Sequence, residues 1–466
     1  MLNAEKSRQL TEVGPGTPMG EVLRRHWHPV AGVDELERVA VKPLRLMGED
    51  FVLFRSLNGD YGLVERRCRH RNADLAYGIV EADGIRCNYH GWQYAADGRC
   101  IEQPFEDVVD PQHRLRARAC LQAGLVRAKA GLLWAYIGPQ PAPELPDWEP
   151  FHWRNGFVQA VFASVPCNWL QTQENSIDPV HFEWMHANWS RRLAGRGAGY
   201  APRHLKLAFE EFEHGFVYKR ISEDTDERHP LWTIGRVCLW PNGFFLGDHF
   251  EWRVPIDDAN TLSVTWSFIR VPQEQEPYLQ DQIPTWTSPI RDEASGRWIT
   301  SHVINQDIVA WVGQGTVTDR ERELLGASDR GIAMLRRQLF NDIEAVAAGR
   351  DPKGVMRDAA ANQRVRLPSD HREFFLEGLP RAAYLQHPKW KTLLQGFIFH
   401  AGQPETVRRA CEAALSRGRP LILLPTLCVG RCRRHTATEG AKAPLRLLTP
   451  PSRITETPPQ RSWGGE

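Results

Sequence analysis

Residues 63–91 constrain the fold of this 466-residue chain more than any other stretch, because they hold two pairs of metal-binding side chains. Cys68 and His70 form a Cys-x-His pair, and Cys87 and His90 form a Cys-x-x-His pair. Thiolate sulfur and imidazole nitrogen are both good ligands for transition metals. The largely polar residues that follow each pair are typical of loops at the tips of β-hairpins. We therefore expect two such loops to bring the four ligands together.

Each pair contains one cysteine and one histidine, and this composition favours one kind of metal centre, an iron–sulfur cluster, over another, structural zinc. In a Rieske [2Fe–2S] cluster two histidines replace two cysteines on one iron, which raises the reduction potential to roughly −150 to +300 mV. Such a cluster can accept electrons from a stronger reductant and pass them to a site that activates oxygen. Structural zinc is the alternative, although its ligands usually come as a cysteine pair followed by a histidine pair. The Rieske interpretation predicts a second metal site further along the chain.

The composition gives no indication of a nucleic-acid or membrane partner. Lys and Arg number 58 and Asp and Glu 57, so the charges nearly cancel. The apolar runs are shorter than a membrane span, and the first ten residues, MLNAEKSRQL, lack the apolar region of a signal peptide. The remaining cysteines do not have the spacing of a small secreted disulfide framework. We therefore expect a cytoplasmic protein with reduced thiols.

The pattern of apolar runs and turns predicts an α+β protein with two domains. Residues 1–27 predict a helical segment, and the short strand-like runs in 28–140 predict an all-β domain around the ligand pairs. A proline-rich stretch follows, and residues 150–380 predict an antiparallel sheet combined with a long helix. Residues 401–466, rich in Arg, Pro and Thr, predict a disordered tail.

A second group of metal-binding side chains lies at Asp178, His181 and His186. Asp178 and His181 are neighbours on a helix because they are three residues apart. His181 and His186 are five apart, about 140° on a regular helix, which is too wide for both to bind one ion. A local π-type widening or a helix break would bring them together, and such irregularities are frequent at functional sites. The alternative is one packed and one exposed histidine.

Asp307 is the candidate for a third ligand. Val303, Asp307 and Trp311 recur at helical spacing, which places the carboxylate on the apolar side of a helix. A buried carboxylate needs a partner, and a metal ion would be one. Two histidines and one carboxylate are the ligand set of mononuclear Fe(II) oxygenases. A buried ion pair or a helix-packing hydrogen bond is the alternative.

These motifs together resemble those of the Rieske non-haem iron ring-hydroxylating oxygenases. The resemblance covers about residues 10–370, and the later runs are similar to the phthalate-dioxygenase branch, which includes enzymes acting on phenoxybenzoate and chlorobenzoate. The residues that carry it are Cys68-Arg69-His70-Arg71, Cys87 to Trp92, Asn168-Trp169, Glu174-Asn175, Asp178, His181, His186, Gln306-Asp307 and Gly313-Gln314-Gly315.

The resemblance implies two metal centres in each chain, a Rieske [2Fe–2S] cluster and a mononuclear Fe(II). The implied ligands are Cys68, His70, Cys87 and His90 for the cluster, and His181, His186 and Asp307 for the iron. It further implies that Asp178 and Asn175 are catalytic residues, with Asp178 bridging His181 to His90 of a neighbouring subunit. The implied fold is a Rieske β domain followed by a helix-grip domain.

The implied activity is that of a terminal oxygenase, which uses O2 and NADH-derived electrons to hydroxylate, and specifically to cis-dihydroxylate, an aromatic carboxylate. An O-demethylase or other monooxygenase on the same scaffold is the alternative. The implied partner is an NADH-dependent reductase with a flavin and a [2Fe–2S] cluster, and the implied assembly is a homotrimer or hexamer. Arginines 66, 67, 69 and 71 predict either a docking surface for the electron donor or a solvated loop. Candidates for binding a substrate carboxylate are Arg191, Arg192, Arg196, Arg203 and Lys219.

Overall fold

The computed structural model describes residues 2–195, 197, 199–368 and 399–415. Two short helices open it, α1 (Ala4–Thr11) and α2 (Pro18–Leu23). Both begin at a polar cap: the side chain of Asn3 accepts from the Lys6 N–H, and that of Thr17 accepts from the Gly20 N–H. Each cap satisfies a backbone donor that the first turn of a helix leaves open.

The first sheet-forming region lies between residues 28 and 136 and contains two antiparallel sheets. One has six strands in the order β1-β10-β9-β4-β3-β2, and the other has four in the order β5-β6-β7-β8. The short helices α3 (Val33–Arg38) and α4 (Glu106–Val109) connect strands. The strands are β1 (His28–Gly32), β2 (Val41–Leu46), β3 (Glu49–Arg55), β4 (Tyr61–Glu65), β5 (Ile79–Glu81), β6 (Gly84–Arg86), β7 (Gln93–Tyr94), β8 (Cys100–Glu102), β9 (Ala123–Lys129) and β10 (Leu132–Tyr136).

A small apolar core joins these two sheets and supports the ligand loops. Val52, Phe54 and Val64 of the larger sheet pack with Ile85 and Tyr94 of the smaller one. The two ligand cysteines belong to the same buried cluster. The loops that carry them are therefore held by packing from both sheets.

The second sheet has eight strands in the order β12-β13-β14-β15-β16-β17-β11-β18. Neighbouring strands are antiparallel except β11 and β18, which are parallel. The strands are β11 (Gly156–Val165), β12 (His204–Phe212), β13 (Gly215–Ser222), β14 (Arg236–Leu239), β15 (Gly243–Phe245), β16 (His249–Asp257), β17 (Asn260–Arg270) and β18 (Thr285–Thr287).

The two faces of this sheet differ sharply in polarity. On one face the residues in register across β11, β17 and β16 are apolar, as in the row Ala160, Trp266 and Phe250. The opposite face has the polar rows Gln159–Ser267–His249, Val161–Thr265–Glu251 and Ala163–Ser263–Arg253. The polar members of these rows are buried. Buried polar side chains require interaction partners, and helices that pack on the sheet supply some of these partners.

Several helices pack on this sheet. The Arg253 guanidinium lies 4.5 Å from the ring of Trp311 in α8, and Gln173 of α5 donates to the Gly243 carbonyl of β15. The elements are α5 (Trp169–Asn175), a π-helix (Phe182–Trp189), α6 (Ser190–Leu193), α7 (Pro230–Thr233), α8 (Val303–Gly313), the long α9 (Arg330–Ala347) and α10 (Glu405–Leu415). None of the described helices is both long and apolar enough to span a bilayer.

A buried ion network fixes α5 in place. The Glu174 carboxylate accepts from Arg320 at 2.8 Å and from Arg336 at 2.6 Å, and Arg336 also pairs with Glu323. Burial raises the pKa of Glu174, but the two guanidinium groups lower it by more, so the net shift is downward. Because a buried charge that loses its partner is strongly destabilising, this network holds the helix that carries Asn175.

The predicted α+β class is confirmed, but the predicted disordered tail is wrong for residues 401–415. Helix α10 buries Cys411, Ala414 and Leu415 in a cluster with Phe157 and Ile269 of the sheet. The apolar side chains recur at helical spacing, so this segment can bury one face despite its polar composition. The rest of the predicted tail, 416–466, lies outside the described residues, as do 369–380 of the predicted second domain.

Candidate active site

The two ligand loops of the first region have the same backbone conformation and the same pattern of backbone hydrogen bonds. In each, the cysteine N–H donates to the carbonyl five residues on, and the cysteine carbonyl accepts from the N–H four residues on. The residue four positions after each cysteine has a positive φ, 58° at Asn72 and 77° at Gly91. The bonds are Cys68 to Ala73 (3.0 Å), Asn72 to Cys68 (2.8 Å), Cys87 to Trp92 (2.8 Å) and Gly91 to Cys87 (3.0 Å).

These two loop conformations bring the four predicted cluster ligands together. Cys68 and Cys87 are buried, whereas the His90 ring is exposed and lies 4.4 Å from the His70 ring, centroid to centroid. His70 Nδ1 is buried and has no hydrogen-bond partner among the described residues. A buried nitrogen in that state suits a metal ligand. The set of two thiols and two imidazoles therefore fits a Rieske cluster.

Tyr94 adds a contact to one of the cysteines. Its hydroxyl lies 3.2 Å from Cys68 Sγ and also accepts from the Arg69 N–H at 3.2 Å. A phenol can donate to a thiolate sulfur. Hydrogen bonds to the ligand sulfurs are one of the factors that set the potential of an iron–sulfur cluster.

Tyr94→Phe is expected to lower the reduction potential of the cluster, because the hydroxyl stabilises the more negative, reduced state. If that hydrogen bond contributes on the order of 1 kcal/mol, the shift is about 40 mV for one electron. Spectroelectrochemical titration measures it. Tyr61→Phe, whose hydroxyl lies beside Arg55, is the control and should leave the potential unchanged. An unchanged or higher potential in Tyr94→Phe would contradict the assignment.

Most of the arginines in the first ligand loop are paired. Arg66 and Arg67 lie 2.6 Å and 3.6 Å from Asp74, and Arg69 lies 2.8 Å from Glu65. Arg71 instead lies over the ring of the exposed Tyr89, at 5.6 Å from its centroid. The pairing favours a local structural role for the first three, and the docking role stays a prediction.

His181 and His186 are brought together by the kind of irregularity that their spacing requires. Residues Phe182–Trp189 form a π-helix, so the predicted widening is present. Contacts outside the helix stabilise it: Glu183 accepts from the backbone N–H of His204 at 2.7 Å, and Asn188 accepts from the Ala201 N–H at 2.7 Å. A π-helix is rare and is frequently found at functional sites, and these two contacts hold this one in place.

The three predicted iron ligands converge on one point. Nε2 of His186 lies 3.3 Å and Nε2 of His181 lies 3.7 Å from Oδ1 of Asp307, and suitable ligand atoms of all three residues lie within 4.8 Å of one another. All three are largely buried. Two imidazoles and one carboxylate on one side of a common point match the facial triad of non-haem Fe(II) sites.

Two neighbouring amides orient these ligands. Gln306 Oε1 lies 3.1 Å from His186 Nδ1, and its amide nitrogen donates to Ser190 Oγ at 2.9 Å and to the Thr300 carbonyl. His186 Nδ1 must then be the protonated nitrogen, which leaves Nε2 free to bind metal. On the other side, Asn175 Nδ2 lies 3.4 Å from Asp307 Oδ1.

Asp178 lies where the sequence predicts it, with a longer contact to His181 than expected. Its Oδ2 is 3.7 Å from His181 Nδ1, the distance of an ion pair and not of a hydrogen bond. Its Oδ1 accepts from the Val180 N–H at 2.7 Å. Asp178 therefore caps the backbone with one oxygen and directs the other to the ring of a predicted iron ligand.

Known proteins place this architecture in a family. Two family models match, one described as "Rieske [2Fe-2S] domain" over residues 26–113 and one as "LigXa C-terminal domain like" over residues 251–367. The 5,5'-dehydrodivanillate O-demethylase oxygenase subunit of Sphingobium sp. is 57% identical over 419 residues, which is 89% of this chain and 97% of that protein. The chain belongs to the Rieske oxygenases.

Two further comparisons agree with this family. Phenoxybenzoate dioxygenase subunit alpha of Ectopseudomonas oleovorans is 35% identical over 385 residues, 77% of this chain and 90% of that protein. A solved structure of a mutant of Pseudomonas putida CBB5 NdmA with caffeine has a TM-score of 0.52 at 21% identity, covering 71% of this chain and 93% of that one. At that identity the likeness supports the fold alone.

As a Rieske oxygenase, the protein is an oxygenase component with a Rieske [2Fe–2S] domain, and its family carries a mononuclear iron at the catalytic site. Both predicted cofactors are therefore confirmed. The individual ligands are not tested by these comparisons and stay predictions, as do the boundaries at residues 28, 140, 150 and 380.

The oxygenase places a different pair of cations beside the iron site from those that the sequence suggests. Arg203 pairs with Glu223, Lys219 pairs with Glu210, and Arg192 lies over Tyr200. Arg196 lies outside the described residues, and Arg191 is a partly buried residue of α6. The guanidinium groups of Arg220 and Arg236 lie 4.6 Å and 4.7 Å from the ring centroid of Phe182.

Proposed function

We propose that this oxygenase removes a methyl group from a methoxylated aromatic acid and releases it as formaldehyde. The observation that carries the proposal is the 57% identity to an O-demethylase oxygenase subunit along nearly its whole length. The balanced reaction consumes ArOCH3, O2, two electrons and two protons, and it yields ArOH, CH2O and H2O. A dehydrodivanillate, a two-ring compound with methoxy, hydroxyl and carboxylate groups, is the model substrate.

Each metal centre has a defined set of side chains in this proposal. Cys68, His70, Cys87 and His90 hold the [2Fe–2S] cluster, and His181, His186 and Asp307 hold Fe(II). When bound, the iron supplies oxygen activation with electrons delivered by the cluster. The side chains around it orient the ligands: Gln306 fixes the tautomer of His186, and Asn175 restrains the carboxylate of Asp307.

A buried cation supports an acid as the substrate. Arg236 is 9% exposed, and its Nε and Nη1 have no hydrogen-bond partner among the described residues. Its guanidinium lies against Phe182, whose ring centroid is 4.3 Å and 5.2 Å from those of His181 and His186. A guanidinium can bind a carboxylate through two parallel hydrogen bonds. Arg236 is therefore the proposed partner of the substrate carboxylate.

Arg220 has a different role from Arg236. Its Nη1 lies 3.2 Å from His204 Nε2 and 3.3 Å from the Pro179 carbonyl. Because arginine only donates, His204 Nε2 accepts and its Nδ1–H donates to Glu183, 2.9 Å away. This chain of contacts ties the backbone beside Asp178 and the π-helix to the sheet.

In this proposal the oxygenase assembles as a homotrimer or hexamer and receives electrons from an NADH-dependent flavin/[2Fe–2S] reductase. The cluster held by one subunit would then serve the iron held by its neighbour. Exposed apolar side chains in two places support such contacts. Tyr77, Tyr89, Phe105 and Val108 are exposed in the region of the ligand loops, and Trp184, Leu193, Tyr200 and Leu205 are exposed on or after the π-helix. Contiguous exposed apolar patches mark interaction sites, so these two groups of side chains are the proposed contact surfaces. A cytoplasmic location stays a prediction.

Dihydroxylation of an aromatic acid is the second candidate. It is supported by the 35% identity to the phenoxybenzoate dioxygenase subunit along 90% of that protein. Its product keeps every substrate carbon and gains both oxygen atoms of O2, whereas demethylation divides the substrate and transfers one oxygen atom to water.

The decisive experiment incubates the oxygenase, its reductase, NADH and 18O2 with 5,5'-dehydrodivanillate. We expect one formaldehyde for each O2 consumed and a phenolic product lighter by one methylene group. A diol that retains its methoxy group and contains two 18O atoms, without formaldehyde, would replace demethylation by dihydroxylation. Neutral methyl-ester analogues test the role of Arg236 and should react more slowly than the free acids. Faster turnover of the esters would exclude carboxylate recognition.

A further inference from the structure

Tyr218 carries a buried hydroxyl group on the face of the large sheet that holds Arg236. The two residues are paired in register on β13 and β14, which brings their Cβ atoms to about 5 Å from each other on one face. Tyr218 is 1% exposed, and its hydroxyl has no hydrogen-bond partner in the part of the chain that the structure describes. Buried polar groups in native proteins are nearly always satisfied by protein, water or ligand. A bound molecule is therefore the natural partner of this hydroxyl.

The apolar cluster around Tyr218 extends to the predicted iron ligands. Its ring stacks on that of Phe244, with centroids 6.3 Å apart. Leu246 completes the buried cluster, and Phe182 and Phe209 pack against it. Phe182 follows His181 in the π-helix, and the centroids of their rings are 4.3 Å apart. Tyr218 thus belongs to an apolar wall that reaches the iron site.

Arg236 lies close enough to the iron ligands for one aromatic ring to reach both. Its guanidinium is 4.7 Å from the ring centroid of Phe182, and that centroid is 4.3 Å from the centroid of His181. The two distances together set an upper limit of about 9 Å between the guanidinium and the His181 ring. A carboxylate and a methoxy group on one benzene ring are separated by less than this. A substrate bound by its carboxylate at Arg236 can therefore direct a methoxy group of the same ring toward the iron site.

Tyr218 and Arg236 together present hydrogen-bond donors. Nε and Nη1 of Arg236 lack a partner within the described ranges, and arginine cannot accept. Burial raises the pKa of Tyr218 and the charges of Arg236 and Arg220 lower it by less, so the phenol keeps its proton and can donate. A carboxylate has about four acceptor positions on its two oxygens. It can take two parallel bonds from the guanidinium and one more from the phenol.

We infer that Tyr218 is a specificity-determining residue, whose hydroxyl donates a third hydrogen bond to the substrate carboxylate held by Arg236. The inference rests on the proposed function and adds a residue that distinguishes acids from neutral analogues. The hydroxyl gains its partner only when the carboxylate is bound. It therefore contributes to the affinity for the acid and not to the stability of the substrate-free enzyme.

Calorimetric titration of the metal-loaded enzyme without its reductase tests this hydrogen bond in the absence of turnover. The probes are 5,5'-dehydrodivanillate and its neutral dimethyl ester. Tyr218→Phe keeps the ring that stacks on Phe244, and it should weaken binding of the acid by about tenfold, as expected for a lost hydrogen bond to a charged group. Binding of the ester should change less than about twofold. On an Arg236→Gln background the same substitution should cost less than about threefold, because both donors act on one carboxylate.

Thermal unfolding of the substrate-free enzyme examines the same hydroxyl in a second way. Because the hydroxyl has no partner there, Tyr218→Phe should leave the Tm unchanged or raise it. The acid should raise the Tm of the wild type more than that of the variant, because it binds the wild type more tightly. A lower Tm in the substrate-free variant would show that the hydroxyl has a partner within the protein and would overturn the inference.

Tyr278→Phe is the control, since it removes another buried phenol, one whose ring centroid lies 6.4 Å from that of Phe157. It should change neither affinity, and all variants should retain the visible spectrum and the iron content. Equal weakening of both probes in Tyr218→Phe, no weakening, or loss of iron overturns the role of Tyr218. Weakening confined to the acid, without formaldehyde release by the wild type in the turnover assay, would preserve that role and overturn the demethylase proposal.

Discussion

Asp307→Ala is expected to abolish oxygen insertion while leaving the visible spectrum of the [2Fe–2S] cluster intact. Asp307 is the only carboxylate in the group of ligand atoms found among the described residues, and both histidine Nε2 atoms lie within 3.7 Å of it. Loss of a residue that only hydrogen-bonds to a metal ligand already lowers metal affinity about 10–100-fold, so loss of the ligand itself should lower it further. Iron should fall by about one atom per chain, measured by elemental analysis alongside O2 uptake.

Glu321→Ala is the matched control for Asp307→Ala. Glu321 is an exposed carboxylate close in sequence, and it accepts from the Ala4 N–H at 3.0 Å. Its removal should change neither iron content nor turnover. If Asp307→Ala kept its activity and Glu321→Ala lost it, the ligand assignment would pass to Glu321.

Asp178→Asn is expected to stop electron transfer while both metal centres remain assembled. Asn has nearly the size of Asp but loses the charge that faces His181, and one of its two acceptor oxygens becomes a donor. The cap on the Val180 N–H needs only one oxygen, so Asn can keep it. Cluster spectrum and iron content should therefore be near normal, and turnover should fall to a small fraction of the wild-type rate.

Stopped-flow mixing of the reduced enzyme with substrate and O2 measures the predicted step in Asp178→Asn. The cluster should still be reduced by its partner, but its reoxidation should be slow. Asp178→Ala removes the cap as well as the charge and is the comparison for a structural role. Wild-type reoxidation in the Asn variant, with loss of stability in the Ala variant, would show that Asp178 acts as a cap alone.

Six of the seven predicted metal ligands could be identified because they lie in short-range sequence patterns. The Cys-x-His and Cys-x-x-His pairs each lie within one loop, so the loop backbone alone brings a cysteine and a histidine together. The spacing of His181 and His186 required a widened helix, and a π-helix is present. Asp307 lies far from them in sequence and is predicted as the third iron ligand because a carboxylate on an apolar helix face needs a partner.

Only the tertiary structure shows which side chains meet across long stretches of the chain. Gln306 lies 120 residues from His186, Gln403 lies 244 residues from Gln159, and Arg236 of β14 contacts Phe182 of the π-helix. Nothing in the local sequence distinguishes Arg236 from the arginines that pair with carboxylates on the surface. The same holds for residues 401–415, whose composition indicates disorder but whose apolar stripe meets a matching surface on β11 and β17. Local patterns determine which residues can bind a metal, whereas packing determines which polar groups become buried beside it and so which substrate the site can accept.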